Sequence, residues 1–140
     1  MAGGKYEGFS ILMLNKMFNG ATWTIPTTFY LALFSVTPSI SSTGTEATGS
    51  GYARLSIASN STNWPVISGS TTTITNNVTQ TMATATGDWS SAANQVAAGL
   101  WDSSSAGILY YWGPLTESKP VLSGDSAFFA GGSALTVQET

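Results

Sequence analysis

Thr27-Thr28-Phe29-Tyr30-Leu31-Ala32-Leu33-Phe34-Ser35-Val36 is the stretch on which the fold turns. Successive side chains of a strand point to opposite faces, so Phe29, Leu31 and Leu33 share one side while Tyr30, Ala32 and Phe34 share the other. Both sides are apolar. Such a strand needs cover on both faces and belongs in the centre of a sheet, and Pro38, which has no backbone N–H, ends it. Downstream, period-two segments recur at short intervals: residues 52–58, 71–75, 78–85, 96–101, 108–112, 121–122, 126–129 and 134–137. Residues 96–101 and 108–112, joined by the Ser-rich turn 102–107, form the best hairpin. Residues 39–51 lack periodicity and read as a long exposed loop, and Trp64, in Asn63-Trp64-Pro65, anchors another. The pattern predicts a mainly β chain, an antiparallel β-sandwich or small barrel of about eight short strands with one N-terminal α-helix. A single domain spans 1–140, with 1–20 as helix or arm and 21–140 as the β domain.

The helix occupies residues 6–19, where Phe9, Leu12, Met13 and Met17 follow helical spacing and Gly20 is the stop signal. Ile11, Leu14 and Phe18 lie off that stripe. The segment is therefore apolar over more than half its circumference, more than one sheet face would cover.

Working outward to the whole chain, 140 residues carry 20 Ser and 20 Thr but only 4 Lys+Arg and 7 Asp+Glu, a net charge of −3. Charged residues are 8% of the chain against about 25% in ordinary domains. Five Trp, five Tyr and six Phe argue against disorder. With no basic cluster to displace counterions, nucleic acid is not an expected partner, and no apolar run is long enough to span a membrane. Lys16 and Asn15 interrupt the apolar stretch that a signal peptide would need. The absence of His and Cys removes the commonest general base, thiolate chemistry, disulfides and most zinc sites.

The chemistry-bearing residues read mainly as architecture. Asp88 and Asp125 follow glycines and Asp102 opens a turn, positions where a carboxylate caps backbone N–H groups. A glycosidase pair would need two such acids facing each other. Asp102, Ser103 and Ser105 fall short of a calcium loop, and no serine sits in a nucleophile elbow. Asn60-Ser61-Thr62 and Asn77-Val78-Thr79 match the glycosylation pattern by coincidence in a Ser/Thr-rich chain. Trp23, Trp64, Trp89, Trp101 and Trp112 suit core packing, with a sugar-stacking platform as the competing use. Arg54, the single arginine, calls for a definite carboxylate or carbonyl partner, in this chain or another.

Several stretches together resemble a family of small phage virion structural proteins, capsid cement or decoration proteins that are often labelled tail fibre proteins. They are Leu14-Asn15-Lys16-Met17-Phe18, the central strand through Ser39, Gly44-Thr45-Glu46 with Gly51-Tyr52-Ala53-Arg54, Asn63-Trp64-Pro65, Ala85-Thr86-Gly87-Asp88-Trp89, Leu109-Tyr110-Tyr111-Trp112-Gly113-Pro114-Leu115, and Ser123-Gly124-Asp125 with Ala134-Leu135-Thr136-Val137. Gly99-Leu100-Trp101-Asp102 replaces the Gly-Ile-Phe-Asp-like stretch usual there. The resemblance implies a structural role, with no catalytic residue, cofactor or metal to transfer. The expectation is a non-enzymatic decoration protein, assembled in the bacterial cytoplasm and carried on the capsid surface of the virion. Its partners would be itself, as a homotrimer, and the major capsid protein. A tail fibre or tail-tip adhesion protein, possibly carbohydrate-binding, is the alternative. The expected contact residues are Phe9, Leu12, Met13, Met17 and Phe18 on the helix, with Thr45, Glu46, Tyr52 and Arg54 beside the long loop.

Overall fold

The computed structural model describes residues 3–67 and 73–138. Its centre is β2 (Thr28–Val36), the strand with two apolar faces. On one side it pairs antiparallel with β7 (Gln95–Trp101), Ala32 opposite Gly99. On the other it takes β4 (Leu55–Ala58) along its first half and β3 (Thr45–Glu46) along its last residues. β7 pairs with β8 (Leu109–Lys119), which takes β1 (Gly4–Lys5) at its outer edge. These six strands form the main sheet, and two antiparallel ribbons accompany it. One joins β5 (Thr73–Thr75) to β10 (Thr136–Gln138), the other β6 (Gln80–Thr81) to β9 (Phe128–Phe129).

Alternation along β2 sorts the core into two clusters. Leu31 and Leu33 pack with Ile57, Leu100, Trp89, Met82, Phe129 and Leu135, so the ribbons cover this face of the sheet. Ala32 and Phe34 pack on the opposite face with Ala97, Trp101 and Leu109. The mainly β reading, the central placing of β2 and the hairpin β7–β8 therefore hold. Gly99 sits mid-sheet, where an added Cβ would lie 2.8 Å from Leu109 Cδ1 and 3.0 Å from both Phe34 Cε2 and the Tyr111 carbonyl oxygen. Gly99→Ala should destabilise by about 1–3 kcal/mol through overpacking, and a loss under a few tenths in urea unfolding would contradict this packing.

α1 (Glu7–Asn19) starts at Tyr6 and stops at Gly20, which adopts a left-handed conformation at φ 66°. Tyr6 N–H donates to the Tyr110 carbonyl and Glu7 N–H to that of Ile40, tying the helix start to β8 and the neighbouring loop.

Several sequence expectations need correction. Residues 39–51 are not a free loop: Thr45 and Glu46 pair with β2 and Ala47 is buried, a two-residue strand too short to show a period. Of residues 78–85 only Gln80–Thr81 are strand, while Met82 and Ala85 continue as single N–H bonds to Ala127 and Asp125. Residues 121–122 form no strand; Val121 instead accepts from Trp89 N–H. Residues 71–72 lie outside the described residues. β8 runs on past Pro114, because that proline lies beyond the two residues where β1 pairs.

After buried Trp89, Ser90, Ser91 and Ala92 all have positive φ, at 50°, 55° and 62°. Each left-handed L-residue costs about 1–2 kcal/mol. Bonds from Ser90 N–H to the Thr48 carbonyl and from Trp89 Nε1 to the Ser50 carbonyl hold the turn. Ser91 is exposed, so Ser91→Gly should raise stability by roughly 1 kcal/mol, steric relief exceeding the added chain entropy. A lowered thermal midpoint would refute it.

Candidate functional site

Two surfaces gather the residues singled out from sequence. In the first, β3 brings Glu46 opposite Arg54, eight residues later. Arg54 Nε and Nη2 donate to Glu46 Oε1 and Oε2 at 2.8 and 2.7 Å, the two-pronged geometry that a guanidinium favours. Nη1 donates to the carbonyls of Ser103 and Ala106, both at 2.8 Å, and the group stacks 4.0 Å from the centre of the Trp101 ring. Tyr52 OH donates to Glu46 Oε1 at 2.8 Å. Burial, with the Glu46 carboxylate beside it, pushes the Tyr52 phenol far above the ordinary tyrosine range, so it stays a donor. The Arg54 side chain is only 6% exposed. The partner that its directional chemistry calls for is internal, and Glu46, Tyr52 and Arg54 brace the fold against the 102–107 turn. Thr45 beside them is exposed.

The second surface is the helix. Phe9 is 4% exposed and stacks on Tyr110 at 4.2 Å, with Tyr111 and Trp23 edge-on at 5.2 and 5.9 Å. Trp23 Nε1 donates to Tyr110 OH, and burial raises the pKa of that phenol. Leu12 and Met13 flank Phe9, half-buried. The stripe marked in the sequence thus turns inward over its first two turns. The sheet supplies a flat tyrosine ring there, leaving only Met17, at 70% exposure, and Phe18, at 80%, of the five expected helix contacts on the outside. At about 100° per residue, Ile11, Leu14 and Phe18 share one narrow stripe roughly opposite Phe9. Ile11 and Leu14 are 57% and 55% exposed, and residues 14–20 are exposed throughout. α1 therefore has two apolar faces, one docked on its own sheet and one open.

The carboxylates take the capping roles expected of them. Asp102 Oδ1 accepts from Ile108 N–H at 2.8 Å, Asp88 Oδ1 from Ser123 N–H and Asp125 Oδ2 from Leu122 N–H, both at 3.0 Å. Among the described residues no group of three or more His, Cys, Asp or Glu could hold a metal ion, and no helix is long and apolar enough to cross a membrane. None of the five tryptophans is exposed: Trp64, Trp89 and Trp101 are buried, Trp23 and Trp112 half-buried. Trp64, Trp89 and Trp101 belong to the core clusters, Trp112 packs against one of them, and Trp23 sits edge-on to Phe9 and Tyr110. The open aromatic rings are Phe18 and Phe128; helical spacing sets Phe18 opposite Phe9 and strand alternation sets Phe128 opposite Phe129, but neither period says which face is buried.

The family model of the podophage GP4 fiber I protein gp80 matches residues 10–138. No curated protein matches the chain.

Proposed function

This chain belongs to the family of the podophage GP4 fiber I protein gp80, which are phage virion structural proteins, and on that premise we propose that it is a small non-enzymatic fibre subunit. It associates with its own copies, as a homotrimer, and is fixed to the particle through α1. The observation that carries the reading is the outward stripe of Ile11, Leu14 and Phe18, with Met17 beside it, which gathers four exposed large apolar side chains on one short helix. An apolar stripe open to water on a helix already docked through its opposite face fits a subunit that is completed by contact. The near absence of surface charge suits contact by apolar packing and hydroxyl hydrogen bonds rather than by electrostatic steering.

A second reading, decoration of the capsid through the major capsid protein, is favoured by shape. The helix has 13 residues, about 20 Å, and the described residues contain no stalk or repeat that would extend a fibre. Gold-labelled antibody against the chain on intact virions separates the two: label at the tail supports the fibre, an even coat over the head supports decoration, and no label rejects both. Light scattering on the purified chain tests the trimer, and a stable monomer at high micromolar concentration would count against self-association.

A further inference from the structure

We propose that the cavity between residues 23–28 and the turn that starts at Asp102 is a receptor for an alkylammonium group, the end of a lysine side chain presented by a neighbouring protein. The 23–28 segment joins α1 to β2 and is pinned by the bond from Trp23 Nε1 to Tyr110 OH at 3.1 Å. Tyr30 lies opposite Trp101 in the β2–β7 ladder, which brings the next residue, Asp102, to the same cavity. Its volume is about 410 Å³, and Trp23, Ile25, Tyr30, Asp102 and Tyr110 are among its lining.

Asp102 is the only charged side chain in the described lining. Its Oδ1 accepts from Ile108 N–H at 2.8 Å, whereas no described residue donates to Oδ2, and that oxygen is not sealed from water. No described residue forms an ion pair with Asp102 either. Arg54, which reaches the same turn, is committed to Glu46 and to the carbonyls of Ser103 and Ala106. Burial, with a contribution from the Asp102 charge, raises the pKa of the Tyr110 phenol, so that ring stays neutral. The cavity therefore carries one uncompensated negative charge and one free oxygen to receive a donor.

The rest of the lining narrows the ligand. An aromatic ring presents a negative face to a cation within about 6 Å, and Trp23 and Tyr30, both half-buried, supply two rings to the wall that holds the carboxylate. A guanidinium would use both carboxylate oxygens for its fork, and one is already occupied; an ammonium needs only one. A divalent cation would need several more oxygen ligands, and no group of three His, Cys, Asp or Glu is present among the described residues. Ile25, 66% exposed, offers apolar surface to the alkyl stem that carries an ammonium. This contact is separate from the outward stripe of α1 and does not depend on whether the protein sits on tail or head.

The full chain, isotope-labelled, should be titrated with Nα-acetyl-lysine methylamide while the Trp23 indole N–H and Ile108 amide signals are followed by NMR. Both should shift saturably, with a Kd on the order of millimolar, as suits one partly screened ion pair between aromatic walls. The norleucine analogue has the stem without the charge and should give no saturable shift, and the arginine analogue should bind tenfold more weakly. Asp102→Asn keeps a carbonyl oxygen for Ile108 N–H and removes only the charge. It should weaken binding tenfold or more while the thermal midpoint stays close to wild type, and Phe18→Ser on the helix should bind as wild type. Dilution of the unliganded chain separates the sources of the lysine: a concentration-dependent Trp23 signal that Asp102→Asn abolishes makes the donor a second copy, and a constant one makes it another protein of the particle. No saturable shift up to about 100 mM analogue overturns the proposal. So does an equal response to the norleucine analogue, wild-type affinity in Asp102→Asn, or calcium moving the same signals at lower concentration than the lysine analogue.

Discussion

Arg54→Ala is expected to lower stability by about 3–5 kcal/mol. The estimate follows from what stays behind when one member of a desolvated pair is removed. Glu46 would keep its charge with only the Tyr52 hydroxyl on it, and the carbonyls of Ser103 and Ala106 would lose the donor that holds the β7–β8 turn. Trp101 would lose the plane that covers its ring. For a chain of this size the thermal midpoint should fall by roughly 10–15 °C. Arg54→Lys should recover little, since an ammonium cannot engage both Glu46 oxygens and two carbonyls from one planar group. Glu46→Gln should cost less, because it keeps the shape and one acceptor while removing the charge that would otherwise be stranded. Urea unfolding of the three variants measures the order. An Arg54→Ala loss below 1 kcal/mol would show that the pair contributes no more than a surface ion pair.

The same cluster shows where sequence reading stops. Arg54 announces a need for a planar partner, yet Ser103 and Ala106 lie some fifty positions away, and only the pairing of β2 with β3, β4 and β7 brings them together. Strand β2 was legible because two-sided apolar alternation has one physical solution, and the α1 stop because Gly20 takes a conformation open to glycine. β3 was not: two paired residues cannot display a period. Nor was the passage of β8 through Pro114, since whether a proline is tolerated depends on which edge its missing N–H faces. β7 begins at Gln95, one residue before the segment that the sequence marks as strand, and the unequal advance of β7 and β8 beside it belongs to register and not to composition.

The helix shows an ambiguity of another kind. Helical spacing marked Phe9, Leu12, Met13 and Met17 as the apolar stripe and left Ile11, Leu14 and Phe18 off it, and periodicity cannot say which set the chain keeps for itself. The Tyr110 ring decides it by stacking on Phe9. It follows that Ile11→Ser, Leu14→Ser and Phe18→Ser combined should leave the isolated fold within about 1 kcal/mol of wild type, the loss being mostly helix propensity. Assembly should respond very differently. Fully burying one such side chain contributes about 1.5–3 kcal/mol. Scaled by their present exposure, three of them supply on the order of 3–5 kcal/mol per contact, equal to roughly two to four orders of magnitude in Kd. Light scattering should then show monomer at concentrations where wild type is oligomeric, and virions grown with the variant should carry little of it. Phe9→Ser reverses the pattern, detaching α1 from the sheet and lowering stability by about 3–5 kcal/mol. If the triple variant keeps both its oligomer size and its place on the particle, the outward stripe is not the contact, and attachment must run through the β domain instead.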